Sequence, residues 1–267
     1  RVAAVFRIPR ALSVSLGAAM TTAPWPDHGG DAAALLKRFR LPADHPFEDV
    51  SANLNPLGPP PWVADWLVEC ISGLSRYPEP SYRTARRAIA EYEGVAPEQV
   101  LLTNGGADAI FLAAALHTGQ RGLIVTPTFG EYARACAAHR LVVTEHALEA
   151  PRFGLQTAAL DEPVTQADVI FLCRPNNPTG TANTEAEIFQ FVRSLPKHVI
   201  FCFDEAYAEY LKTPPDLRPL IEEGRKVICM RTFSKIHGLA ALRIGYGYGS
   251  EEIKNRFGAL YNAFKYG

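Results

Sequence analysis

Short apolar runs punctuate the chain from residue 99 onward: QVLLT, GLIVT, LVVTEHAL, DVIFLC, HVIFCF and KVICM. They are rich in Val, Ile and Phe. Most are separated by stretches with helical periodicity, such as Ala107 to His117 and Tyr132 to His139. A strand that is apolar on both faces has to be covered on both faces. Such strands alternating with helices therefore predict an α/β fold, a mostly parallel sheet with helices on each side. In sheets of that kind ligands sit beyond the carboxyl ends of the strands. The polar residues that follow each run are accordingly the candidate site.

Ahead of this region lie a Pro- and Gly-rich arm and two predicted helices. In the first, Val63, Trp66, Leu67, Cys70, Ile71 and Leu74 recur at helical spacing, with Asp65 and Glu69 opposite; prolines at 59, 60 and 61 suit its entry. The second spans about Ser81 to Glu93 and stops at Gly94. Thr184 followed by Glu187 is a capping-box signature for the helix before HVIFCF. Residues 1–19 are basic and apolar, but Arg7, Pro9 and Arg10 break any apolar centre; they read as an upstream extension before a start at Met20. No run is long enough to span a bilayer. A net charge of -1 without a basic run gives no sign of a nucleic-acid or membrane partner and favours a small, partly anionic metabolite. Five cysteines without a C-x-x-C pair or framework point to a reducing, cytoplasmic setting, and no metal-ligand spacing is present.

Polar motifs follow the strands in order. QVLLT leads into Asn104-Gly105-Gly106-Ala107-Asp108, opening a helix whose N-terminus offers free N–H groups to an anion. On its own that is also what a packing turn looks like. DVIFLC leads into Arg174-Pro175-Asn176-Asn177-Pro178-Thr179-Gly180, equally readable as a plain turn. HVIFCF leads into Asp204-Glu205-Ala206-Tyr207, where a carboxylate at a buried strand end needs a cation or strong donors. KVICM leads into Arg231-Thr232-Phe233-Ser234-Lys235 and then GLAALRIGY. A dinucleotide-binding domain would want G-x-G-x-x-G after its first strand, and NGGAD does not supply it.

The ordered set NGGAD, RPNNPTG, DEAY, TFSK and GLAALRIGY resembles the cofactor site of fold-type-I pyridoxal-phosphate (PLP) enzymes of the aminotransferase class, over roughly residues 27–250. The resemblance implies PLP as cofactor, held by Lys235 as a Schiff base, with the same amine moving a substrate proton. It implies Asp204 paired with the ring nitrogen, Asn177 and Tyr207 as donors to the phenolic oxygen, and Phe129 stacked on the ring. Gly106, Ala107 and Asp108 with Thr232, Ser234 and Arg243 would cradle the phosphate. Family members are commonly homodimers, and Tyr77 in RYPEP matches a tyrosine that reaches the other subunit's phosphate.

Two subfamilies divide the chain. The arm, with DHGGD and DVSANLNPLGPP, resembles threonine-phosphate decarboxylases of the cobalamin pathway; DEAYAEY and RTFSKIHGLAALRIGYGYG resemble histidinol-phosphate aminotransferases. Tyr207 and TFSK lie nearest the chemistry, so the expected function is transamination of a phosphorylated amino compound. Decarboxylation of threonine phosphate is the alternative, and a PLP-binding fragment or regulatory domain without turnover is another. The expected organisation is an extension (1–19), an arm (20–60), a PLP-binding large domain (61–250) and the start of an incomplete small domain (251–267). The last stretch, FGALYNAFKYG, departs from the family's continuation.

Overall fold

The computed structural model of the chain describes residues 29–155 and 162–265. The extension read for residues 1–19 and the start at Met20 lie outside the described residues. Two compact units divide between Leu54 and Asn55. In the first, helix α1 (Ala32–Arg38) opens with the Asp31 side chain accepting from Ala34 N–H at 3.0 Å. This cap satisfies one of the helix's unpaired amides.

The second unit carries the sheet. Its elements in chain order are α2 (Trp62–Cys70), α3 (Arg83–Glu93), β1 (Val100–Thr103), α4 (Gly106–Ala115), β2 (Arg121–Thr126), α5 (Glu131–Ala138), β3 (Val142–Ala147), α6 (Glu162–Thr165), β4 (Val169–Cys173), α7 (Glu185–Ser194), β5 (Ile200–Asp204), α8 (Arg218–Glu222), β6 (Lys226–Thr232), β7 (Gly245–Gly249) and α9 (Glu251–Lys265). The sheet has seven strands in the order β1-β7-β6-β5-β4-β2-β3. Strands β6, β5, β4, β2 and β3 run parallel, and β7 lies antiparallel to both β1 and β6. The mostly parallel sheet is the expected one. β7 was not foreseen, because its sequence GYGYG is no apolar run. Its glycines admit close neighbours: a Cβ at Gly249 would lie 2.4 Å from the Val227 carbonyl oxygen.

Period-two alternation sorts the strand residues into two cores. Ile170, Leu172, Phe201, Phe203, Val227 and Cys229 join Phe191 of α7 on one face. Val169, Phe171, Cys173, Ile200, Cys202, Ile228 and Met230 join Ile110 of α4, Tyr132 of α5 and Ile253 and Phe257 of α9 on the other. That alternation aims Asp204 and Thr232, the last residues of β5 and β6, toward the α4–α5 face. Arg231 follows Cys229 onto the opposite face.

Two expectations differ in detail. β3 is not apolar on both faces: it is one of the two edge strands, and all of it but His146 is exposed. In α2 and the turn after it, only Val63 of the apolar positions is buried; Trp66, Leu67, Ile71 and Leu74 are exposed. The amphipathic pattern is real, but no described element covers that face. α3 ends as expected at Gly94, whose φ of 67° belongs to the left-handed region that terminates helices. The capping box also forms, with Glu187 N–H donating to Thr184 Oγ1 at 3.2 Å and Thr184 N–H to Glu187 Oε2 at 2.6 Å.

Candidate active site

The carboxyl edge of the parallel strands gathers the predicted residues. Asp204 ends β5 almost wholly buried. Tyr132 Oη donates to its Oδ2 at 2.6 Å, and Ala206 N–H donates to its Oδ1 at 3.0 Å. Burial pushes the Asp204 carboxyl up from its ordinary range, while these two donors and the Lys235 charge pull it back. Lys235 stands just after β6, with Nζ 5.5 Å from the centroid of the Tyr207 ring. Burial lowers its pKa; Asp204 opposes that shift and Arg243 adds to it. The amine and the carboxylate therefore act on each other electrostatically at the carboxyl edge of the sheet. A desolvated amine of this kind is easier to deprotonate and so more nucleophilic.

An anion cradle lies beside them. Gly105, at φ 82°, precedes α4 with no side chain to cap the helix's first amides. The Arg243 guanidinium lies over it: a Cβ at Gly105 would sit 2.5 Å from Nη2. Arg243 is itself held in the left-handed region at φ 53°, with Nη1 donating to the Ala240 carbonyl at 3.0 Å. Thr232 Oγ1 donates to Ser234 Oγ at 2.8 Å, and a Cβ on Gly106 would come within 3.6 Å of Thr232 Cβ. A helix N-terminus, two hydroxyls and a guanidinium fork thus converge on one spot. That donor set suits a phosphate.

The remaining predicted residues separate into those near the pocket and those away from it. Phe129, half-buried, packs edge-on to Tyr132 with ring centroids 5.9 Å apart. Asn177 follows β4, where its backbone N–H faces the Cys173 thiol. Ala107 sits half-buried in the first turn of α4. Asp108 turns its carboxylate back onto the Asn104 N–H at 2.8 Å, which stabilises the turn that presents the cradle. Tyr77 is fully exposed and joins none of these groups within the chain.

Several supporting residues were not singled out from the sequence. Asn55 Nδ2 donates to the Ile236 carbonyl at 2.7 Å, and Asn55 N–H to that of Lys235 at 3.3 Å, so the NPLGPP segment is pinned to the lysine loop. Asn176 ties two site loops together, accepting from Thr128 Oγ1 at 3.0 Å and donating to the Pro127 carbonyl at 2.7 Å. On the far face of the sheet, Arg231 pairs with Glu205 at 3.1 Å and Glu93 at 3.3 Å. Of these, Tyr132 carried a usable signal: a tyrosine on the buried face of a helix needs an acceptor for its hydroxyl.

An α/β sheet with a desolvated amine, a buried carboxylate and an anion cradle at its carboxyl edge defines the class of scaffold. A model of the family described as aminotransferase class I and II matches residues 48–264. The chain belongs to that family. It is similar to the histidinol-phosphate aminotransferase of Geobacillus thermodenitrificans, at 38% identity over 208 residues, covering 76% of this chain and 57% of that protein. The chain thus spans little more than half the length of that curated relative. Among solved structures it superposes on the L-threonine-O-3-phosphate decarboxylase of Porphyromonas gingivalis with a TM-score of 0.69 and 28% identity, covering 78% of this chain and 64% of that one. The fold is shared as well with the histidinol-phosphate aminotransferase of Sinorhizobium meliloti, solved in complex with pyridoxal-5'-phosphate (TM-score 0.72, 24% identity, 80% of this chain and 59% of that one). Among the described residues no helix is long and apolar enough to cross a membrane.

Proposed function

We propose that this chain forms the PLP-binding part of a transaminase acting on a phosphorylated amino compound, with histidinol phosphate as the favoured substrate. The observation that carries the reading is the placement of Asp204 at the end of β5 and Lys235 just after β6, each bearing on the other's charge, beside the cluster of Gly106, Thr232, Ser234 and Arg243. The cradle passes a simple test of fit: glycine at 105 leaves the room that a side chain would take from the Arg243 fork.

When bound, PLP supplies an electron sink for charge developing at the substrate α-carbon. Lys235 would hold the cofactor, and its lowered pKa lets the amine take and return a proton at that carbon. Asp204, held by two donors that favour its ionised form, would face the ring nitrogen and in that form favour its protonation. Tyr207 and Asn177 would donate to the phenolic oxygen, Phe129 would cover one face of the ring, and Arg243 would grip the phosphate in bidentate fashion.

The test is reduction with borohydride after incubation with PLP, followed by mapping of the adduct. Label on Lys235, lost in Lys235→Ala, supports the assignment; equal uptake by both proteins without an adduct on Lys235 refutes it. Histidinol phosphate with 2-oxoglutarate, and separately threonine phosphate, then identify the reaction. The likeness to the P. gingivalis decarboxylase favours a second reading, in which carbon dioxide is released from threonine phosphate. Binding without turnover would instead make this part of the chain a PLP-holding module.

A homodimer is also proposed. Trp66, Leu67, Ile71 and Leu74 form an exposed apolar strip along α2 and the turn after it, and Tyr77 is fully exposed beyond it. A contiguous strip of this kind suits burial against a second copy. Sedimentation that finds only monomer with PLP bound would count against it. A cytoplasmic location is supported by the free thiols Cys136, Cys173, Cys202 and Cys229, all buried.

A further inference from the structure

We infer that Tyr132 is a positioning residue of the cofactor site, its hydroxyl orienting the Asp204 carboxylate while its ring backs Phe129. The inference rests on the PLP reading of the site and adds a residue to it.

Tyr132 is entirely buried in α5. Its ring stacks on Phe171 of β4, with centroids 5.5 Å apart and planes at 15°, and meets the Phe129 ring edge-on at 86°. Both neighbours are apolar, so neither offers the hydroxyl an acceptor; the Asp204 carboxylate does, at 2.6 Å. The same carboxylate takes the Ala206 N–H on its other oxygen. With one donor on each oxygen, rotation of the carboxylate about its Cβ–Cγ bond is blocked. The remaining lone pairs then have one direction.

The hydrogen bond also selects a charge state. A phenol donates to the ionised carboxylate, so it favours that form of Asp204 against the burial that opposes it. The other titratable groups around Asp204 and Lys235 are the buried Cys173 thiol, whose pKa burial raises far above its usual range, the Tyr207 phenol, whose ring centroid lies 5.5 Å from Lys235 Nζ, and the Arg243 guanidinium, which bears on Lys235.

The probes are PLP and 4'-deoxypyridoxine 5'-phosphate, which keeps the ring nitrogen and phosphate but has no aldehyde for Lys235. Each is titrated against wild type and Tyr132→Phe across a pH series. Tyr132→Phe keeps the ring and its packing, and a cooperative thermal transition in each protein verifies the fold. The expected result is that the variant binds the deoxy probe about tenfold more weakly near neutral pH, as loss of one charge-assisted hydrogen bond implies. Its acid limb of binding should also move up by about one pH unit, because Asp204 takes a proton more readily without the phenol. A residue that only fills space would leave that limb in place. If wild type binds PLP on Lys235 and the variant matches it in affinity and pH profile, the role of Tyr132 is wrong and the site reading stands. If wild type takes up no PLP, both fail together.

Discussion

Arg231 Nε lies 3.1 Å from Glu205 Oε2, both side chains buried, on the side of the sheet away from the lysine pocket. This pair ties the end of β5, which carries Asp204, to the end of β6, which leads to Lys235. Its surroundings are rich in acid. Glu93 and Glu209 approach the same guanidinium at 3.3 and 3.7 Å, and Tyr246 Oη donates to Glu93. Burial pushes the Glu205 carboxyl up to about 7, with Arg231 pulling it down and Glu93 pushing it further up. Burial likewise raises Glu93.

The sign of the resulting pH dependence follows from linkage. A carboxyl whose pKa is higher in the folded chain than in the unfolded one binds more protons when folded between those two values. Its contribution is fully present below the unfolded pKa and is lost as pH rises through the folded one. Glu205 should therefore make the protein lose stability between about pH 5 and pH 7.5, on the order of 1–3 kcal/mol. Urea unfolding across that range should show the slope in wild type and a flatter curve in Glu205→Gln. Parallel curves would remove Glu205 as its source.

Gly245 should not tolerate alanine. A Cβ there would stand 2.6 Å from the Gly105 carbonyl carbon and 2.9 Å from both the Gly106 nitrogen and the Arg231 oxygen. All three are backbone atoms at the point where β7 meets the start of α4, so no side chain can swing away. Gly245→Ala should cost roughly 1–3 kcal/mol of stability, measured by denaturant unfolding, and weaken phosphate binding by shifting α4. Unchanged stability and binding would contradict the packing seen here.

On the proposed reading, substitutions at Arg243 should separate phosphate recognition from ring recognition. Arg243→Ala should weaken PLP binding by at least about tenfold while leaving the weaker binding of pyridoxal, which has no phosphate, nearly unchanged. Arg243→Lys should recover only part of the loss, because an ammonium cannot reproduce the guanidinium fork. Fluorescence titration of both ligands distinguishes this from a general collapse of the pocket, in which both affinities fall alike.

Asn176 joins the loop bearing Phe129 to the loop bearing Asn177. Asn176→Ala removes its bonds to Thr128, the Pro127 carbonyl and Thr179 Oγ1, the last at 2.8 Å. The expected cost is about 1–3 kcal/mol, as for a network left half-satisfied, together with faster hydrogen exchange in both loops. Exchange confined to one loop would show that Asn176 does not couple them.

How much of this could be read beforehand differs by element. Apolar runs such as DVIFLC and HVIFCF declare buried parallel strands, because only cover on both faces tolerates apolar residues on both faces. The strand-end rule then marks the residues that follow each strand as candidates, and the family resemblance singles out Asp204 and Lys235 among them. β7 escaped because GYGYG owes its place to close backbone approach against β6, not to hydrophobicity. Tyr132 and Asn176 escaped because their partners are 72 and 48 positions away.

The sequence by itself determined the class of fold and the order of the strand-end motifs, since these depend on local periodicity and residue chemistry. Tertiary structure alone decided that Arg231 faces away from the pocket while Thr232 faces into it, that Arg243 lies over Gly105, and that Tyr132 holds Asp204. Each of these depends on strand register and on which helix covers which face. Chain-local preference does not encode either, and only the packed sheet brings such distant residues within hydrogen-bonding reach.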